Sequence, residues 1–445
     1  MSSEEQPLGA AIRGLARGRK LARVIDTTHP GAWTALDEGI RVAIGYGEIE
    51  RPAHPWMSTS RLPAALRAAL RAPAPTESQL ALALCDPSGL VREAALPHAA
   101  RHPAVLPLVA VRATDWAAPV RDRARELLAA ALPGADAATL GTTAPVIIRL
   151  KSRLRGGEGV ALLQDVLRTV PGETVSALFL NRDRPTRRLA FTAAVERGLL
   201  DARELARIAA YDDDAAVRNR AADAALAVGV PDETLPLLLG ARSGAVRSAG
   251  VIALRKAGRT AEAAPFLYDR SGLVRACARW VLRQDGRDPL PLYRAACADA
   301  ATVPDRAPLG LAECGDRKED TAVLWELAGH EREHVRASAV AGLRLFEADF
   351  TRLLPLLDDP APGVVREAAR ALLPWADRLP EAELLRRTGP GRPVHVRVRA
   401  LRLLREHGSV AYQETARRLV EDPDPVVRMR ARRALGVMAC AVPNR

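Results

Sequence analysis

Apolar residues along this chain gather in short clusters that return every 28 to 31 residues, and the same polar signature opens most returns. The segments Asp86-Pro-Ser-Gly-Leu-Val-Arg92, Asp115-Trp-Ala-Ala-Pro-Val-Arg121, Asp212-Asp-Asp-Ala-Ala-Val-Arg218, Asp269-Arg-Ser-Gly-Leu-Val-Arg275 and Asp422-Pro-Asp-Pro-Val-Val-Arg428 share it. The pattern is an aspartate, five residues, an arginine, and an alanine three further on. The key arginine recurs at 92, 121, 187, 218, 247, 275, 306, 336, 366, 397 and 428. The one long gap, 66 residues from Arg121 to Arg187, is two periods and places a degenerate repeat near residues 151–155. Arg61 marks another repeat one period before Arg92, whereas Arg306 keeps the spacing without the surrounding pattern. Periods of this length mark stacked supersecondary units.

Each period reads as two helices. Leucine-rich runs such as 350–357 and 412–420 supply the first, and a turn rich in Asp, Pro and Gly follows. The second starts near the Val-Arg pair, where Asp, Ser or Pro suits the N-cap and first turn. Three residues after the key arginine stand Ala95, Ala124, Ala190, Ala221, Ala278, Ala339, Ala369, Ala400 and Ala431, with Gly250 and Leu309 as exceptions. A small side chain there lets helices approach to about 8–10 Å. With the preceding valine and a leucine six or seven later it makes an apolar stripe at helical spacing. One hairpin cannot bury that stripe, so neighbours must stack. No run alternates as a strand does. The chain is expected to be all-α, with about a dozen hairpins over residues 58–445. Residues 1–57 lie outside the repeat. There, 10–25 and 32–44 read as two amphipathic helices that form an N-terminal cap over the first apolar layer.

The repeat resembles that of the HEAT-repeat proteins, above all the short bacterial kind also found in phycobilin lyases, which carries D-x-x-x-x-V-R-x-x-A-x-x-A-L. The resemblance covers about 390 residues. It implies a right-handed α-solenoid whose turn aspartates and helix arginines link neighbouring repeats in a hydrogen-bonded ladder. The matching residues are Asp86 and Arg92, Asp115 and Arg121, Asp212 and Arg218, Asp269 and Arg275, Asp422 and Arg428. Asp359 stands seven before Arg366. Elsewhere the acid is replaced by Asn181, Ala241, Ala300, His330 and Gly391, and the ladder is expected to break.

Composition narrows the setting. Length alone would suggest about three ordinary domains, a limit that a repeat array escapes. Hydrophobic residues make up 48% of the 445, too many for general disorder. The longest apolar stretch, residues 104–111, is far short of the ~18 needed to span a membrane. The N-terminus lacks the basic-then-apolar layout of a signal peptide. Five scattered cysteines with no C-x-x-C pair suit small buried side chains in a reducing compartment. A cytoplasmic protein without cofactor or membrane attachment is expected. The net charge of +12 suggests a polyanionic partner. However, only four of the 65 basic residues are lysine, a bias that a GC-rich bacterial genome produces by itself.

Candidate chemistry is sparse. His330-Glu331-Arg332-Glu333-His334 satisfies the H-E-x-x-H zinc pattern, but the register puts it in an inter-helix turn with His330 ahead of the helix, so no metal site is expected. HEAT-type hydroxylases carry His-Glu directly after the Val-Arg, and this chain does not. The informative feature is a set of arginines. At 100° per residue, positions four and eight after the key arginine lie together on the flank away from the alanines. Arg125, Arg279, Arg370 and Arg432 occupy the first; Arg255, Arg283, Arg344 and Arg405 the second. In HEAT-like solenoids second helices line the concave surface, so these residues form a candidate basic stripe. The related helical DNA glycosylases hold DNA in such a groove and use an aspartate flanked by tryptophans. Here Trp280 is the only tryptophan in the middle of a second helix, and no Asp–Trp–Trp set matches. The expected function is a non-catalytic scaffold binding an extended protein partner along its concave surface, anchored by residues such as Trp280 or Trp375. The alternative is a nucleic-acid-binding solenoid with the stripe on phosphates, akin to those glycosylases. A third, an accessory lyase or chaperone for a cofactor-bearing protein, rests on the resemblance alone.

Overall fold

The structure, a computed structural model, describes residues 5–49, 74–347 and 349–436. These residues are helical hairpins joined by short turns, with no strand among them. Arg61 and the boundary at 57/58 lie outside the described residues, as does Cys440. The chain divides into two compact units, Met1–Ala224 and Ala225–Arg445.

The first unit opens with helices Glu5–Ala16 and Pro30–Gly45. Trp33, Leu36 and Ile40 of the second are buried, and both helices pack against the repeats that follow. The expected single helix over 10–25 instead starts earlier and stops at Ala16. Gly18 takes φ 83, and the Arg19 N–H closes onto the Gly14 carbonyl at 3.0 Å. That left-handed closure is the usual glycine helix stop, and the polar run 17–20 offers nothing to bury beyond it. A short 3₁₀ turn, Leu21–Arg23, then docks on the first repeat through Leu21 N–H to Glu77 Oε1 at 2.7 Å.

Hairpins follow in order: Glu77–Leu84 with Gly89–Ala99, Leu106–Arg112 with Ala118–Ala131, and Ala137–Arg149 with Gly157–Thr169. The last is the degenerate repeat, with its turn at 150–156. Gly172–Phe179 with Arg184–Glu196 and Ala202–Tyr211 with Ala215–Val228 complete the series up to the boundary. Capping is written into the starts: Asp201 and Glu204 form a reciprocal box, as do Thr76 and Gln79.

The second unit repeats the plan from Leu235–Leu239 with Gly244–Lys256 to Ala411–Leu419 with Pro425–Ala434. Its second helices lie side by side in one layer, Glu333–Leu345 on Pro362–Leu372 and that on Val394–His407. The nine predicted alanines are each at most 4% exposed, which fits their role at the closest approach of helices. Gly250 belongs to the same column for a stricter reason. A Cβ there would lie 3.0 Å from Leu238 Cβ and from the Leu239 backbone nitrogen.

Arg306 departs from the pattern. It is the N-cap of helix Ala307–Ala312 rather than an interior residue, so the register slips by one. Gly310, not Leu309, takes the small-residue position: a Cβ on it would fall 2.1 Å from the Tyr293 ring.

Candidate functional site

The turn aspartates and key arginines meet across repeats. Arg92 donates Nε and Nη2 to the carboxylate of Asp115 at 2.9 and 2.8 Å, and Nη1 to the carbonyls of Asp86 and Pro87 at 2.8 and 2.9 Å. Arg92 thus binds its own turn through backbone carbonyls and the next repeat's aspartate through its carboxylate. Arg247 to Asp269 and Arg336 to Asp359 repeat the fork at 2.7–3.0 Å, and Arg397 grips Asp422. Arg187 reaches Asp212 at 2.7 Å. Each aspartate also accepts a backbone N–H two residues on, as Ser88 to Asp86 at 2.7 Å, which fixes the turn.

Where the acid is missing, two replacements keep the link. Asn181 accepts the Asp183 N–H at 2.9 Å and donates Nδ2 to the Gly141 carbonyl at 2.8 Å. His330 accepts the Arg332 N–H on Nδ1 at 3.0 Å, while its Nε2 lies 2.8 Å from the Ala300 carbonyl. His330 is therefore a turn residue ahead of helix Glu333–Leu345, as its register predicts. No group of three potential ligands is positioned for a metal ion among the described residues. Arg275, facing the irregular repeat, pairs with Glu313 instead of a turn acid. Arg121, Arg218 and Arg428 make the carbonyl half of the pattern only, to Asp115, Asp212 and Asp422.

The first link carries a charge network that sequence reading missed. Arg112 donates Nη1 to Asp115 at 3.0 Å and pairs through Nη2 with Asp37 of helix Pro30–Gly45, which also holds Arg41 at 3.2 Å. Burial works to raise Asp115, but the fork from Arg92, the Ala117 N–H and the nearby Arg112 hold it below the usual carboxylate range. The available signal was one arginine closing the apolar run 104–111.

The eight stripe arginines have unlike surroundings. Arg125 pairs with Glu158; Arg279, half-buried, pairs with Glu313 at 2.6 Å; Arg370 with Glu367 at 2.8 Å; Arg405 with Glu406 at 3.0 Å. Arg255 lies over the half-exposed Trp280 ring, 5.3 Å from its centroid. Arg283, Arg344 and Arg432 are exposed and have no acid partner among the described residues. Trp375 stacks on Phe350 at 5.7 Å.

The stripe residue Arg405 also lines a cleft of about 300 Å³ in the second unit, together with four further arginines. The cleft is lined by Val398, Leu401, Tyr412 and Ala434 and by Arg399, Arg402, Arg405, Arg430 and Arg433. Burial, then the like charges of Arg402, Arg366, Arg370 and Arg430, hold Arg399 below the ordinary guanidinium range. Arg399, Arg402, Arg430 and Arg433 stand two and five residues after the key arginines 397 and 428, positions that a search of four and eight passes over.

No family profile matches the sequence, and no curated protein matches it. Among solved structures it is similar to an engineered protein (16% identity, 97% of this chain and 98% of that one, TM-score 0.22). It is also similar to the karyopherin Kap121p bound to the SUMO protease Ulp1p, at 13% identity and a TM-score of 0.32. That match takes in 84% of this chain and spans about half of the karyopherin, 49%. A tumor overexpressed gene (TOG) domain array of microtubule polymerases is similar at 12% identity, 91% of each chain and a TM-score of 0.24.

Proposed function

We propose that the chain is a non-catalytic interaction scaffold that takes an extended, acidic segment of a protein partner along its second helices. The observation that carries this reading is the company kept by Trp280. Trp280 is 42% exposed with Arg255 laid over its ring, and Leu273, about two turns earlier on the same helix, is 54% exposed. Tryptophan and arginine are the residue types that most often anchor protein interfaces, because each combines a large apolar area with directional polar contacts. The test is selection of peptides from a display library on the intact protein, followed by anisotropy titration. Acidic peptides with an aromatic or aliphatic anchor are expected, and Trp280→Ala should weaken them by about tenfold or more. Unchanged affinity in that variant would overturn the reading.

A second reading, nucleic-acid binding, is favoured by Arg283, Arg344 and Arg432, which have no acid among the described residues to neutralise them. Labelled duplex DNA, single-stranded DNA and RNA should then bind with affinity falling by orders of magnitude between about 50 and 200 mM salt. Charge reversal at those three positions should abolish the binding. No binding at low salt would rule this out.

A further inference from the structure

The cleft between helices Val394–His407 and Pro425–Ala434 gathers four arginines, Arg399, Arg402, Arg430 and Arg433, that no acid answers among the described residues, while its fifth, Arg405, pairs with Glu406. Two earlier repeats carry arginine at the same position with its charge balanced. Two residues after their key arginines they carry Arg123 and Arg220, and five residues after, an acid, Glu126 and Asp223. Arg123 pairs with its Glu126 at 2.9 Å, and Arg220 finds Glu196 at 3.2 Å. In the last two repeats the acid is replaced. Arg399 is followed by Arg402 and Arg430 by Arg433, so an internal ion pair becomes a doubled cation on each of two neighbouring helices.

Arg399, Arg402, Arg430 and Arg433 have no hydrogen-bond or ion-pair partner among the described residues. Two acids on the neighbouring second helices are already engaged: Glu367 by Arg366 and Arg370 at 3.1 and 2.8 Å, and Glu406 by Arg405. Residues three apart on a helix stand about 5–6 Å from each other, and packed helices lie about 8–10 Å apart. The four arginines therefore converge on one cleft rather than forming a track along the molecule. Half-buried Arg399 bears the repulsion of its neighbours, an arrangement that costs stability unless something anionic occupies the cleft.

We propose that this cleft is a binding site for a compact, multiply charged phosphoryl group, either a free di- or triphosphate or a phosphorylated side chain of a partner. Three features select that chemistry. Guanidinium forks match phosphoryl oxygens two at a time. A volume of about 300 Å³ admits a diphosphate or a small nucleotide but little more. Four cations around one point suit a group with two or more charges on adjoining oxygens, whereas a nucleic-acid strand spreads single charges along a line. Tyr412, itself buried, lines the cleft beside the arginines and adds an aromatic surface for whatever carries the phosphate. The site stands independently of the scaffold reading, since neither Trp280 nor Leu273 lines it.

The test is calorimetric titration of the whole protein at about 150 mM NaCl, where diffuse surface attraction is screened. The ligands are inorganic pyrophosphate, ATP, a phosphoserine peptide with its unphosphorylated twin, and a short DNA duplex. Two variants are compared: Arg402→Gln/Arg433→Gln, both exposed and free of structural partners, and the control Arg283→Gln/Arg344→Gln on other second helices. Saturable pyrophosphate binding is expected, weakened about tenfold or more in the first variant and unchanged in the control. Tighter binding of pyrophosphate or ATP than of the phosphopeptide identifies a free phosphate compound as the source; the reverse order identifies a modified partner. Absence of saturable binding to any phosphoryl ligand, equal losses in both variants, or tighter binding of DNA than of every compact phosphate would overturn the proposal.

Discussion

Replacing Asp115 by asparagine tests the ladder where it is most deeply set. Its carboxylate receives Arg92 twice, at 2.9 and 2.8 Å, Arg112 at 3.0 Å, and the Ala117 N–H at 3.0 Å. Arg92 is 0% exposed and Arg112 1%, so neither guanidinium reaches water once the carboxylate is neutral. The amide keeps the shape but turns a donor toward two donors, and leaves Asp37 as the only acid shared by Arg112 and Arg41. Stranding one partner of a buried ion pair costs about 3–5 kcal/mol. In a repeat array that loss is felt mainly by the repeats it joins, so the assay is native-state hydrogen exchange read by mass spectrometry. Amides of helices Gly89–Ala99 and Ala118–Ala131 should exchange about 10²–10⁴ times faster, with helices near 394–434 unaffected. Asp359→Asn provides the scale. Its partner Arg336 has a side chain 14% exposed and Asp359 one 10% exposed, so water softens the loss to about 1.5–3 kcal/mol. Equal protection in wild type and Asp115→Asn, or a larger effect at Asp359 than at Asp115, would refute the argument that burial sets the strength of each link.

Close packing gives a second expectation: Gly310→Ala, whose Cβ would meet the Tyr293 ring at 2.1 Å, should lower stability by about 1–3 kcal/mol. Gly157→Ala, with nothing within 4 Å of its added methyl, should leave the melting temperature unchanged or slightly raised. Acid provides a third. Burial works to raise Asp269, but Arg247 outweighs it, while hydrogen bonds from Arg188 and Arg397 directly lower Asp214 and Asp422. Their native forms therefore bind fewer protons than the unfolded chain. The stability they contribute should be whole above about pH 4–5 and drain away as pH falls further, and Asp422→Asn should flatten that decline in urea midpoints measured from pH 7 to pH 3. Thiol chemistry provides a fourth. Burial raises Cys85 and pushes Cys297 up to about 12, so iodoacetamide at about pH 8 should leave both unmodified in the native protein, and prompt alkylation of either would show that its helix opens.

Much of this architecture is legible in the sequence because the repeat reports the same contact many times. The alanine column is the clearest case: nine residues at one register position, all buried at helix crossings. The meaning of the Asp–Arg spacing is less direct. The two residues recur six apart because the arginine's Nη1 takes the aspartate's carbonyl, a bond indifferent to the side chain, and Arg247 makes it to Ala241 at 2.8 Å. The carboxylate answers to an arginine about 22–25 residues earlier, as in Arg247–Asp269 and Arg397–Asp422, a partner that local spacing cannot reveal. The same logic explains why Asn181 and His330 do not break the chain of links. Each supplies what the turn requires, an acceptor for the N–H two residues on, and meets a carbonyl of the preceding repeat in place of an arginine.

Features present only once or twice escape a periodic reading, and these are where binding chemistry concentrates. Arg112 is one charge in a buried helix. The arginines at 399, 402, 430 and 433 occupy positions that most repeats fill with small, apolar or self-paired residues, so no column announces them. A surface arginine with an acid three residues away changes little, since exposed pairs contribute roughly 0–1 kcal/mol and leave no net field. Exchanging that acid for a second arginine in adjacent repeats alters the potential of the whole cleft while leaving the fold's recurring contacts untouched. Repeat architecture makes such a change structurally inexpensive. The ladder and the alanine column hold each hairpin in place, and the outward positions of any two neighbours are free to diverge together. A site in this protein is thus recognised by departure from the repeat, and the two last hairpins depart from it most in charge.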